Sequence, residues 1–85
     1  EGLKALSARV VRAAPNEAGA HSMRAAVLSG RGGAAWAKEQ QPRSAAELKK
    51  AATHYDRAAA LCNAPVVKAE YASTAVACRS RAEAM

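Results

Sequence analysis

The chain has 85 residues, of which Ala fills about three in ten, while Phe and Ile are absent. Thirteen Lys and Arg against seven Asp and Glu leave a formal charge of +6. These figures allow one small domain or a piece of a larger one. They exclude a membrane span of about 20 apolar residues and a disulfide framework, since there are only two Cys.

Ala is the best helix former, and β-branched and aromatic residues are few, so the composition predicts an all-α chain of about four helices. The first covers residues 2–14. Leu3, Leu6, Val10 and Ala13 recur at helical spacing, and Pro15 ends it. The second covers 16–29, with Asn16 as N-cap, Glu17 in its first turn and Gly30 just past its end. Residues 30–43 form an insertion loop carrying two further glycines, a proline and the lone Trp36. That is long for a helix–helix link, where 2–8 residues is usual.

The third helix covers 44–62. Ser44 followed by Glu47 makes a capping box. Leu48, Ala52, Tyr55, Ala59 and Cys62 form its apolar stripe, flanked by Ala51 and Ala58, with Lys50, His54 and Arg57 on the opposite, solvated side. The fourth covers 65–84 and opens at Pro65, a good first-turn residue. Its main stripe is Val67, Tyr71, Thr74, Cys78 and Met85. Val66 and Val76 lie off that stripe, which predicts neighbours on two sides. Small residues bring helix axes toward the short end of the usual 8–10 Å. They bury little area, so a core this size supplies only about 3–5 kcal/mol. The chain is expected to lean on neighbours, either a partner or more of its own sequence. Its start at Glu1 fits a processed or partial chain.

The stretch AATHYDRAAALCNAP resembles the second helix of a tetratricopeptide repeat, which sets a small residue, an aromatic four later, Ala three later, and Pro after the helix. Ala51, Tyr55 and Ala58 occupy those places, with Pro65 about two residues late. APNEAGAHSMRAAVLSG resembles the junction into a first helix through Pro15, Ala18, Ala20, His21, Ala25, Leu28 and Gly30. His21 stands where the family often has a large ring. APVVKAEYASTAVACRS looks like a further first helix. The resemblance implies antiparallel αα-hairpins, with one full repeat at 16–63 between two half-repeats. A plain Ala-rich four-helix bundle is the alternative.

No catalytic constellation emerges. Cys62, Cys78, His21 and His54 fit no zinc spacing, and both Cys fall on apolar stripes as small hydrophobes. Ser73, Ser80 and Asp56 lack a recognisable setting for nucleophilic catalysis. The GRGG run lacks the Lys-Ser/Thr and preceding strand of a phosphate loop. Neither an enzyme nor a cofactor or metal is expected. The Cys usage favours a reducing compartment over a secreted one.

The resemblance implies a non-catalytic protein–protein interaction scaffold whose partner is a protein or peptide, acidic in character given the charge. Tetratricopeptide arrays bind acidic tails through a carboxylate clamp of basic residues. The matching places here are Gly19 and Met23, so no clamp is expected, and Arg24 reads as a groove-edge charge. Arg24, Lys50, His54 and Arg57 are the candidate partner-binding side chains. Trp36 is either a lid over the helix pair or a partner anchor. Two alternatives stay open: a small accessory subunit within a large assembly, and a basic nucleic-acid-associated protein. For the latter, the cations are dispersed and stacking aromatics are few.

Overall fold

The structure, a computed structural model, describes residues 2–29 and 44–84, which form four α-helices and no strand. They are α1 (Leu3–Ala13), α2 (Ala18–Ser29), α3 (Ala45–Leu61) and α4 (Pro65–Glu83). The predicted insertion at 30–43, with Trp36 and Gly30, lies outside the described residues.

The clearest predicted boundary is realised atom by atom. The Glu47 N–H donates to Ser44 Oγ at 3.1 Å, and the Ser44 N–H donates to Glu47 Oε1 at 3.2 Å. This capping box satisfies two donors that a helix start otherwise leaves unpaired. Pro65 takes the first position of α4, where its missing N–H costs nothing. Asn16, by contrast, does not cap α2. The Glu17 N–H donates to the Ala14 carbonyl at 3.1 Å, and the Glu17 carbonyl accepts from Ala20. The turn after α1 thus absorbs Asn16 and sets the helix start at Ala18.

Helix α3 is the central element, packed against both α2 and α4, while α1 packs mainly against α2. Ala25 and Leu28 of α2, Ala51, Ala52 and Tyr55 of α3, and Ala75 and Cys78 of α4 form one core cluster, with Tyr71 packed against it. The Tyr55 and Tyr71 rings lie 6.3 Å apart at 30°. Along α3 and α4 the contacts run in opposite directions, Lys68 to Ala59 and Tyr71 to Tyr55.

Burial follows the predicted stripe of α3 closely: Leu48, Ala51, Ala52, Tyr55, Ala58 and Ala59 are all buried. Cys62 is only half-buried, because the chain turns extended there. On α4 the buried residues are Ala75, Cys78 and Ala82. Val67 is exposed, since it precedes the point where α4 meets the core. On α1, Ala13 is exposed and Ser7 is fully buried. Both Cys are reduced.

Since Ala51 and Ala58 have no exposed surface, enlarging either to Leu forces the helices apart. Ala51→Leu or Ala58→Leu should cost about 1–3 kcal/mol. Lys50→Ala and Arg57→Ala, on the exposed side, should stay within about 0.5 kcal/mol. Urea denaturation of the four variants checks the contrast; equal losses would place the close helix contact elsewhere.

Candidate functional site

Three of the candidate side chains, Arg24, His54 and Arg57, come close enough that both guanidiniums act electrostatically on the His54 ring. Lys50 is exposed one turn earlier on α3. Trp36 lies outside the described residues.

His54 is not a solvated residue. It is half-buried, and its Nδ1 lies 3.0 Å from Nδ1 of His21 on α2. The rings face each other with centroids 5.3 Å apart and planes 27° off parallel. His21 is 4% exposed, and its Nε2 lies 2.7 Å from the Pro15 carbonyl oxygen. A carbonyl only accepts, so Nε2 of His21 carries the hydrogen. Nδ1 of neutral His21 is then a lone pair, and the hydrogen between the rings belongs to Nδ1 of His54. Burial, helped by His21, Arg24 and Arg57, holds the His54 pKa below its ordinary 6.5.

His21 is the site residue that the periodicity alone did not single out. A buried imidazole must find a polar partner, and His54 is the other imidazole of the sequence.

Arg24 is tied down as well. Its Nη1 donates to the Lys4 carbonyl at 2.6 Å and to Ser7 Oγ at 3.1 Å. It therefore straps α2 to α1. Lys4 in turn reaches across to Glu47 of the α3 capping box, 2.6 Å away. Arg57 stays on the outer side of α3.

A second surface lies on α4. A shallow groove is bordered by Pro65, Val66, Ala69, Glu70, Ser73 and Thr74. Val66 is 72% exposed and Val76 63% exposed. At 100° per residue, Val66, Ala69, Ser73, Val76, Ala77 and Ser80 share the side opposite the buried Ala75, Cys78 and Ala82. All six are exposed, and none is charged.

The remaining chemistry-bearing side chains stand apart. Asp56 is ion-paired with Arg79 at 2.5 Å, and Ser73 and Ser80 are exposed on α4. Among the described residues, no three His, Cys, Asp or Glu converge on a point where a metal ion could sit. None of the described helices is long and apolar enough to cross a membrane. No family model, curated protein or solved structure matches the chain.

Arg24→Ala should cost about 1–2 kcal/mol, since it removes a charged donor from the Lys4 carbonyl and the buried Ser7 hydroxyl. The loss should exceed that of Arg57→Ala in parallel urea titrations. Equal values would mean that the strap adds nothing to the α1–α2 contact.

Proposed function

We propose that this chain is a non-catalytic protein–protein interaction module built from tetratricopeptide-like helices. Its partner-binding surface is the outer side of α4, and its partner is an amphipathic helix with acidic flanks. The single observation that supports this reading is the uncharged α4 side, open to solvent across Val66, Ala69, Ser73 and Val76. A helix needs a reason to carry apolar residues on both sides. In a stack of αα-hairpins that reason is the next helix, and a helix from another protein can take the same seat. The charge of +6 favours acidic flanks on the incoming helix. Lys50 and Arg57, exposed on α3, add basic charge to the field the partner meets.

The second reading, an accessory subunit embedded in a larger assembly, draws on a different observation. Among the described residues, Leu48, Cys78, Ser7 and Ser29 are the largest fully buried side chains, a meagre core for a chain standing alone. A nucleic-acid surface is the weaker alternative. Phosphate tracking wants available cations on one surface, yet Lys4, Arg24, Lys68, Arg79 and Arg81 all contact other parts of the chain.

Val66→Asp and Val76→Asp should leave the thermal midpoint almost unchanged, because both positions are already exposed. Titration with a synthetic amphipathic helical peptide bearing Glu flanks, followed by backbone amide NMR shifts along the four helices, checks the reading. Saturable shifts on α4, lost in both Asp variants, are expected. Shifts confined to α2 and α3 would move the binding surface, and no saturable shift would sink the proposal. A chain without a cooperative melt on its own would favour the accessory-subunit reading.

A further inference from the structure

We propose that His21 and His54 form an acid-sensitive latch between α2 and α3, closed while the two rings share one hydrogen and loosened when they take up another proton. The geometry is specific. Four polar atoms are paired in sequence: the Pro15 carbonyl with Nε2 of His21 at 2.7 Å, and Nδ1 of His21 with Nδ1 of His54 at 3.0 Å. One hydrogen lies in each gap. The pair thereby joins the connection before α2, the first turn of α2 and the middle of α3.

Proton uptake spoils this arrangement in two steps. The first added proton leaves an N–H···N bond between the rings but converts the pair into a cation. That cation sits half-buried beside Arg24 of α2 and Arg57 of α3, so it is both poorly solvated and repelled. The second proton would set one Nδ1–H against the other at 3.0 Å, and the bond itself is lost. Among the described residues, no carboxylate acts on the His54 ring to offset the new charge. Lys4 of α1 is paired with Glu47 of α3. From α3 come also the exposed Lys50 and Asp56, the latter paired with Arg79 of α4. Glu17, one turn before His21, is exposed to water. The same two guanidiniums disfavour a divalent metal ion on the pair, which leaves the proton as the cation this site responds to.

The direction with pH follows from linkage. His54 is held below its ordinary pKa in the folded chain, so the unfolded or opened chain binds the proton more readily. Stability therefore rises with pH across this range. The contribution is complete above about pH 6.5, the unfolded value, and is lost as pH falls through the folded pKa.

Thermal melts of the whole chain between pH 7.5 and 5.5 stay above the range where ordinary carboxylates titrate. The wild-type midpoint should fall by something on the order of 5 °C, and that of His54→Gln by less than half as much. An equal fall in both would overturn the latch. Ring ¹⁵N spectra of the wild-type protein test the same idea without a substitution. At pH 7.5 His21 should carry its hydrogen on Nε2 and His54 on Nδ1. A His54 ring already carrying two hydrogens at that pH, with the fold intact, would likewise overturn it.

Discussion

Everything else in this structure depends on how closely α3 lets its neighbours approach. Ala51, Ala52 and Ala58 have no exposed surface, and Leu48 is fully buried beside them. Alanines at these places allow backbones to come near one another without steric conflict. They contribute little apolar area, at about 25 cal/mol per Å² buried, so the fold must draw on other contacts. Tyr55 supplies the largest single body on α3, and Tyr71 of α4 packs against it.

The basic side chains supply much of the rest. Lys68 Nζ donates to the Ala59 carbonyl near the end of α3, and Arg81 Nη1 donates to the Ser29 carbonyl at the end of α2. Neither α2 nor α3 has a basic residue in its own last turn. Each receives one from α4 instead, at the end where carbonyls lack partners and the helix dipole is negative. Arg24 makes a comparable strap to α1, and Arg79 reaches Asp56 across the α3–α4 contact. Much of the chain's positive charge is therefore spent within the fold, which is why a net charge of +6 is a poor guide to a nucleic-acid surface.

The two candidate regions differ in physical character. The His21–His54 junction is partly buried, hydrogen-bonded and responsive to charge. The outer side of α4 is exposed, uncharged and preformed on a rigid helix. One suits control of a helix–helix contact and the other suits docking. They share α3 as an intermediary, because it carries His54 and also supports α4.

The sequence by itself determined the helical class, the capping box at Ser44, the Pro65 start of α4 and the buried stripe of α3. All of these are local: they depend on propensity, on a four-residue cap and on a 3.6-residue period. A second apolar side of α4 was also legible, from Val66 and Val76 off the main stripe, but the neighbour expected on it is not among the described helices, and both residues face solvent. Tertiary structure decided what local pattern cannot encode. It moved the start of α2 past Asn16 through a turn closed by Ala14. It turned Ser7 inward and brought Arg24 to its hydroxyl. It converted His54 from a residue on the polar side of one helix into half of a partly buried pair. Periodicity describes a helix against an averaged surrounding, whereas hydrogen-bond partners 33 residues apart are chosen only when two helices take their places side by side.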